Sequence, residues 1–251
     1  MMSPISRAIT GVAPLVLLAS SAFGQWTSER MLHRRTHAGA TGLGDLIIVA
    51  GGGAPYEDSV EIIDTRNGSS SVAHLSIPRS SLGVAAWDNY AVFAGGDVSV
   101  WLDPRRLTGR VDVLDLTTNS WAPQLELPVP VKYVGGGAID GKAFFAGGIT
   151  AGPSTASYAQ ILDLTTFTWT LYPLPGNPRA HIDVRTDDRW LCLVGGGGVQ
   201  AGNRIDVYDS ISSTWHHTTT PTVTSGSKGA VVDGRLYVVS CDPGSQEQLM
   251  M

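Results

Sequence analysis

Charged residues are scarce in this sequence, and their scarcity narrows the classes of partner. Asp, Glu, Lys and Arg make up 16% of the 251 residues, against about 25% in ordinary soluble domains. The formal net charge is −5, and no basic stripe runs along the chain, so nucleic acid is not an expected partner. Sustained helical periodicity is also missing, which favours an all-β domain.

Residues that could bind a metal ion or carry a covalently attached lipid are few as well. The chain has two Cys and six His. The one H-x-x-x-H spacing, from His33 to His37, lies in a stretch without helical periodicity, so it does not predict two ligands on one helix face. The adjacent His216 and His217 would point to opposite faces of a strand. We therefore predict no metal and no cofactor. No Cys follows the N-terminal apolar run, so a lipid anchor is not indicated.

The N-terminus has the pattern of a signal peptide in residues 1–24. Arg7 supplies a positive start, residues 8–20 are an apolar core interrupted by Pro14, and residues 22–24 form a small-residue cleavage site. The alternative is a membrane anchor, but the apolar run is shorter than the ~20 residues that a span needs. Residues 25–251 are thus predicted to form one domain, secreted or periplasmic, without a membrane span.

A repeat built on a double glycine organises the rest of the chain. Before each pair lies a turn position, as in Asp140-Gly141, and a short apolar run connects the two. Asp-Gly tolerates the positive φ of a two-residue hairpin turn, so each unit is predicted to contain a hairpin of buried strands. The pairs recur at similar intervals, with Ser240-Cys241 as a degenerate fifth: Gly51-Gly52, Gly95-Gly96, Gly147-Gly148 and Gly195-Gly196.

Tryptophan marks the outer strand of each unit. Trp121, Trp169 and Trp215 each follow an Asp at the same short distance and precede the next anchor at a nearly constant one. Trp26 stands as far before Gly51 as Trp215 stands before Ser240, which places it on an outer strand whose inner partners come from the C-terminus. We therefore predict that the strand around Trp26 closes the ring of repeats by pairing within the last unit. Residues 228–233 and 235–239 are the first two strands of that unit.

The same register argues against a disulfide. Cys192 lies three residues before its double glycine, whereas Cys241 takes the place of a second glycine. A four-residue offset separates two side chains by about 13 Å along a strand, beyond the roughly 7 Å that a bridge spans. Two free thiols are predicted.

These features together resemble kelch repeats, and the resemblance covers nearly all of residues 25–251. It implies a β-propeller of four-stranded blades, here about five, with the last one incomplete and completed by the N-terminal strand. The double glycines would allow a neighbouring backbone to approach, and the four Trp would pack between blades. Kelch propellers more often have six or seven blades, so a truncated propeller is an alternative.

The resemblance also implies where a ligand would bind. Ligand-binding members use one face, built from the loops after the double glycine and before each innermost strand. Basic residues there would suit carboxylates or sugars, although each cation could equally cap a strand end in solvent. The candidate residues at these positions are Arg35, Tyr56, Arg79, Trp101, Lys132, Arg179 and His181.

The predicted function is an exported binding or scaffold module, without catalysis, for an unknown protein or glycan, and a monomer is expected. A carbohydrate-active enzyme is the alternative, either of the sugar oxidase or of the sialic acid mutarotase type. The oxidase type needs copper and a Tyr cross-linked to Cys, for which neither Cys192 nor Cys241 is suitably placed. Glu61, Asp183, Arg179 and His181 could serve as acids and bases in the mutarotase type.

Overall fold

The computed structural model describes most of the chain, and every regular element in the described part is a β-strand. None of the described residues forms a helix that is long and apolar enough to cross a membrane. The described residues are 15–20, 25–53, 55–99, 102, 106–152, 154–174, 178–197, 203–220, 227–232, 234–240 and 248–250.

Antiparallel sheets follow one another along the chain, and we number them blades 1 to 5. Blade 1 contains β3 (Gly39–Leu43), β4 (Leu46–Ala50), β5 (Ser59–Asp64) and β6 (Ser70–His74). Blade 2 contains β7 (Gly83–Trp87), β8 (Tyr90–Ala94) and β9 (Arg110–Asp115), with the short β10 (Ser120–Trp121) and β11 (Leu125–Glu126) both paired to β9. Blade 3 contains β12 (Gly135–Ile139), β13 (Lys142–Ala146), β14 (Tyr158–Asp163) and β15 (Trp169–Pro173). Blade 4 contains β16 (Asp183–Thr186), β17 (Trp190–Val194), β18 (Arg204–Asp209) and β19 (Thr214–Thr219), and blade 5 contains β20 (Lys228–Val232), β21 (Arg235–Ser240) and β22 (Gln248–Met250).

The blades stand side by side as in a β-propeller, which confirms the predicted fold. Successive innermost strands contact one another, from β3 to β7, β12, β16 and β20. The apolar core lies between blades and not within them, because each sheet buries both faces. One cluster joins blades 1 and 2, a second blades 2 and 3, a third blades 3 and 4, and a fourth blades 4 and 5.

The double glycines lie where adjacent blades touch. The N–H of Gly148 donates to the carbonyl of Arg179 in the next blade at 3.0 Å, and the N–H of Gly52 does the same to Arg79 at 2.9 Å. A Cβ on Gly147 would collide with that same Arg179 carbonyl. All these glycines have positive φ, so both the conformation and the close approach require glycine.

Local turn chemistry explains the rest of the repeat. Asp140 and Gly141 have φ of 49° and 68°, as a two-residue hairpin turn requires. At the end of the third strand, the carboxylate of Asp163 accepts hydrogen bonds from the N–H groups of Thr165 and Thr166. These bonds lower the pKa of Asp163, since they stabilise the charged form, and they fold the loop that leads to Trp169.

Three of the four predicted Trp lie in aromatic clusters. Trp215 of blade 4 stacks on Tyr172 of blade 3 with ring centroids 5.3 Å apart, and therefore packs between blades as predicted. Trp169 lies 6.2 Å from Phe145, and Trp121 lies against Phe93 while remaining 37% exposed. The side chain of Trp26 lies outside the described residues.

The N-terminal strands differ from the predicted closure. β2 (Gln25–Arg30) pairs antiparallel with β1 (Leu15–Ser20), and Trp26 faces Ala19 in that register. The third strand of blade 5 is β22, which pairs with β21. The difference has a physical origin: residues 15–20 belong to the predicted signal peptide, and while attached they offer β2 a nearby apolar partner.

Candidate binding site at the channel mouth

One residue in each of four successive blades adopts a left-handed conformation just before the innermost strand. These residues stand at the same repeat position, at a constant distance before the first glycine of the pair. Their φ angles lie between 53° and 57°, which is uncommon for residues other than glycine and costs free energy that the surrounding structure must supply. The four residues are His37, Ser81, Tyr133 and His181.

Backbone hydrogen bonds join these four residues into an arc. The N–H of Ser81 donates to the carbonyl of His37, that of Tyr133 to Ser81, and that of His181 to Tyr133, at 2.8, 2.8 and 2.9 Å. Each bond crosses from one blade to the next. Because the same turn recurs at each innermost strand, the four side chains converge on one end of the central channel.

The converging side chains line a recess of about 270 Å³, which we call the channel mouth. Tyr133 lies against His181, with ring centroids 4.3 Å apart and a tilt of 31°, and His37 lies 6.4 Å from Tyr133 at a steep angle. Lys228, at the start of β20, adds an amine whose side chain is 71% exposed. A concave site with a few convergent polar groups is typical of small-ligand binding.

The electrostatics of the mouth keep one imidazole neutral. Burial lowers the pKa of His181, and the electrostatic effects of Lys228 and His37 lower it further. Lys228 also lies 3.6 Å from a carboxylate oxygen of Asp183. The mouth therefore offers a neutral imidazole, a hydroxyl, a phenol and an ammonium group to a ligand, which is a set of hydrogen-bonding groups with one positive charge.

A charged cluster on the rim borders the mouth. The buried carboxylate of Asp97 accepts hydrogen bonds from Arg106 at 3.1 and 3.2 Å and lies 3.5 Å from the Lys132 amine. Arg106 also donates a hydrogen bond to the Tyr56 hydroxyl, and this contact joins loops of blades 1 and 2. The same hydrogen bond is the largest cause that raises the pKa of Arg106, followed by the charge of Asp97. The Lys132 amine is 5.6 Å from the ring centroid of Tyr133, so the cluster and the mouth are adjacent.

The three predicted arginine candidates point into the protein, which corrects the expectation that they face a ligand. Arg79 is fully buried and lies 2.8 Å from Asp112. Arg179 and Arg35 are likewise buried and bind backbone carbonyls between the second and third strands of their own blades. Their acidic partners are Asp206 and Glu61. An arginine at this position therefore stabilises its blade, since a buried guanidinium needs such partners.

Blade 3 replaces this ion pair with uncharged residues. Val131 takes the position of the arginine, and Gln160 takes that of the acid. Gln160 is fully buried, and its amide bonds both the N–H and the carbonyl of Val129, at 2.8 and 2.9 Å. The two positions thus change together, as expected for a pair that exists to satisfy buried polar groups.

The remaining candidates are divided between the rim and the mouth. Tyr56 and Lys132 lie in the rim cluster and His181 in the mouth, whereas Trp101 lies outside the described residues. His37, Ser81, Tyr133 and Lys228 were not predicted. The constant distance to the double glycine identifies His37, Ser81 and Tyr133, but the sequence interpretation selected the basic residues one or two positions earlier instead.

The other predictions on reactive groups concern cysteine and metal. Cys192 is a buried free thiol, as predicted, and burial raises its pKa to about 11, so it is a poor nucleophile at neutral pH. Cys241 lies outside the described residues. Within the part of the chain that the structure describes, no three His, Cys, Asp or Glu side chains are grouped as a metal site would require.

Comparison with known proteins supports the architecture. No protein-family model and no curated protein matches the sequence. Among solved structures, one titled "Structure of YjhT" is similar, with a TM-score of 0.66 and 16% sequence identity over 81% of this chain and 72% of that one. At this level of identity the likeness concerns the fold, and the chain is accordingly a β-propeller of predominantly four-stranded blades.

Proposed function

We propose that this protein is an exported kelch-type propeller that binds a glycan, specifically a small acidic sugar, in the channel mouth. The observation that carries the proposal is the convergence of His37, Ser81, Tyr133 and His181 on one recess beside Lys228. Four successive blades adopt the same costly backbone conformation there, and such conformations cluster at ligand sites.

The chemistry of the recess suits a carboxylated sugar. The half-exposed ring of Tyr133 offers a flat apolar surface, while imidazole and hydroxyl groups can bind sugar hydroxyls. Lys228 can form a charge-assisted hydrogen bond with a carboxylate. A neutral His181 adds a donor or an acceptor without the cost of desolvating a second charge. Protein partners remain the alternative class for a surface of this kind.

Binding can be tested with the full chain and a panel of monosaccharides. Ligand-observed NMR would screen neutral sugars, uronic acids and nonulosonic acids, and titration calorimetry would measure the affinities. We expect acidic sugars to bind, and Tyr133→Ala and Lys228→Gln each to weaken binding at least about tenfold. The matched control is Lys142→Gln, a lysine at the start of β13, beside the hairpin turn at the opposite end of blade 3. Absence of binding across the panel, or full affinity in Tyr133→Ala, would refute the proposal.

A sugar mutarotase is the second candidate, and the pairing of His181 with Tyr133 favours it. A base must take the proton of the anomeric hydroxyl while an acid protonates the ring oxygen, which opens the ring. A neutral imidazole and a phenol 4.3 Å apart, centroid to centroid, could fill these roles. Exchange NMR between the anomers of a bound acidic sugar measures the rate. His181→Gln should abolish the acceleration and leave binding within about threefold, whereas an unchanged rate excludes this mechanism.

Export is a separate part of the proposal. The charge and apolar pattern of residues 1–24 supports removal before Gln25. Intact mass measurement on protein recovered from the culture medium or periplasm should give a chain that starts at Gln25. A chain that retains residues 1–24 would contradict processing without affecting the sugar-binding test.

A further inference from the structure

One residue with a left-handed backbone stands outside the repeat. In the described part of the chain, ten residues other than glycine have positive φ. Nine of them recur at equivalent positions of different blades: the four residues of the channel mouth, Asp88 and Asp140 in hairpin turns, and Asn119, Phe167 and Ser213 two residues before a Trp. Arg106, with φ of 57°, has no such counterpart among them. Because the repeated fold does not require this conformation, its cause is local, and outliers of this kind cluster at functional sites.

Groups from three successive blades hold Arg106 in place. Its guanidinium donates hydrogen bonds to the carboxylate of Asp97, in the same loop of blade 2, at 3.1 and 3.2 Å. It also donates a hydrogen bond to the hydroxyl of Tyr56 in blade 1. The amine of Lys132, just before the first strand of blade 3, lies 3.5 Å from the same carboxylate. The Asp97 side chain is only 7% exposed, so a buried anion fixes the positions of two cations.

The rim cluster has one positive charge in excess and a guanidinium that reaches solvent. Asp97 supplies one negative charge against the two positive charges of Arg106 and Lys132. In the ion pair of Arg79 with Asp112, the guanidinium has no exposed surface, whereas the Arg106 side chain is 47% exposed. Within the described residues, every hydrogen bond of the Arg106 guanidinium uses Nε or Nη2. The Nη1 donors are therefore available to an anion.

The rim cluster adjoins the recess in which we propose that a sugar binds. The Lys132 amine lies 5.6 Å from the ring centroid of Tyr133, the aromatic residue that lines this recess. A sugar packed on Tyr133 would therefore hold a neighbouring sugar residue within reach of the rim cluster. Lys228, the cation assigned to the carboxylate of the first sugar, belongs to blade 5, whereas the rim cluster connects blades 1 to 3. The two cationic groups can thus contact different anionic groups of one ligand.

We propose that Arg106 and Lys132 form a second anion subsite, which binds the carboxylate of an adjoining residue in an acidic oligosaccharide. The planar guanidinium matches the geometry of a carboxylate, and the Lys132 amine adds a charge-assisted hydrogen bond. Because Asp97 already holds both cations in position, binding has less side-chain freedom to remove. The subsite itself depends only on the rim cluster, whereas the choice of an oligosaccharide rests on the sugar site proposed above.

Titration calorimetry with galacturonic acid and its linear trisaccharide tests the subsite in the full chain. We expect the trisaccharide to bind the wild-type protein at least about tenfold more tightly than the monosaccharide. Arg106→Gln should reduce this ratio to less than about threefold. The matched control is Arg66→Gln, which replaces an exposed arginine that also pairs with an aspartate and should keep the full ratio. A trisaccharide that binds no more tightly than the monosaccharide, or a ratio that Arg106→Gln does not reduce, overturns the proposal.

Lys132→Gln provides a second variant, because it leaves the pair of Asp97 and Arg106, and so the loop of blade 2, intact. It should lower the affinity for the trisaccharide at least about threefold. Thermal melting of each variant, followed by circular dichroism, separates loss of the subsite from loss of the fold. A folded Lys132→Gln protein with unchanged affinity for the trisaccharide would contradict the assignment.

Inorganic sulfate tests the subsite without a sugar. In heteronuclear NMR spectra, the Nε–H signal that disappears in Arg106→Gln should shift on addition of sulfate and reach saturation, while the signal of Arg66 should shift weakly and without saturation. Equal shifts of both signals without saturation indicate an adventitious ion only and overturn the subsite. If sulfate saturates the Arg106 signal but Tyr133→Ala keeps the full affinity for sugars, the proposed function fails and the anion subsite stands.

Discussion

Replacing Asp112 with Gln should be among the most destabilising single substitutions in the chain, because it leaves a buried guanidinium without its counter-ion. Arg79 has no exposed surface and lies 2.8 Å from the Asp112 carboxylate. Burial lowers the pKa of Arg79, with the nearby Asp112 charge acting against it. Replacing the other partner, Arg79→Val, leaves the Asp112 carboxylate buried without its cation.

Blade 3 shows that the fold does not need this pair. Val131 and Gln160 occupy the equivalent positions, and Gln160 bonds the backbone of the adjoining segment. Breaking a buried pair from one side costs about 3–5 kcal/mol, whereas replacing both partners is often neutral. We therefore expect Arg79→Val combined with Asp112→Gln to lie within about 1–2 kcal/mol of the wild type, although each single substitution loses about 3 kcal/mol or more.

Urea unfolding of the four proteins, followed by tryptophan fluorescence and circular dichroism, measures these values as a double-mutant cycle. The slope of unfolding free energy against urea should stay constant, so that midpoints can be compared. Arg66→Gln is a control, because that side chain is 67% exposed in its ion pair with Asp64 and its replacement should leave the urea midpoint nearly unchanged. If the double variant loses the sum of the two single losses, the reasoning is wrong.

The other predictions concern the glycines, the Trp and the mouth. Gly147→Ala should destabilise by about 3 kcal/mol or more in urea, because its Cβ meets the Arg179 carbonyl, whereas Gly141→Ala, also at positive φ but with open space around it, should lose only about 1–2 kcal/mol; equal losses would refute the blade-contact argument. Trp215→Ala should cost about 3 kcal/mol and the more exposed Trp121→Ala clearly less, as thermal or urea midpoints will show. The pKa of His181 is lowered in the folded state, so the unfolded chain takes up the proton first as the pH falls. The stability from neutral His181 is therefore fully present above about pH 6.5 and is lost as the pH falls through its folded pKa; His181→Gln should flatten this dependence, and an unaltered pH profile would contradict it.

The sequence alone determined the repeat and its turns, because these features depend on neighbours in the chain. Asp140-Gly141 can adopt the positive φ of a hairpin without help from distant residues. Asp163 bonds N–H groups only two and three residues away. The spacing between Gly147 and Gly195 repeats because each blade is one such local unit. Strand order and blade count follow from these distances.

The direction of the side chains was decided only by tertiary structure. Arg79 and Lys132 are similar in sequence, each a basic residue just before an innermost strand, yet Arg79 is fully buried against Asp112 and Lys132 reaches the rim. The burial of Arg79 depends on an acid far along the chain, in the third strand of blade 2, which no local pattern connects to it. Tyr133 and His181 likewise meet only because successive blades share an axis.

Strand pairing at the N-terminus also depends on the tertiary structure. The spacing of Trp26 assigns Gln25–Arg30 to the outer edge of blade 5, while the full chain pairs it with Leu15–Ser20. The unpaired N–H and C=O groups of an edge strand can bond any nearby strand, because main-chain hydrogen bonds do not depend on side-chain identity. The repeat determined which residues form strands, whereas the strand that Gln25–Arg30 pairs with was decided only by the tertiary structure.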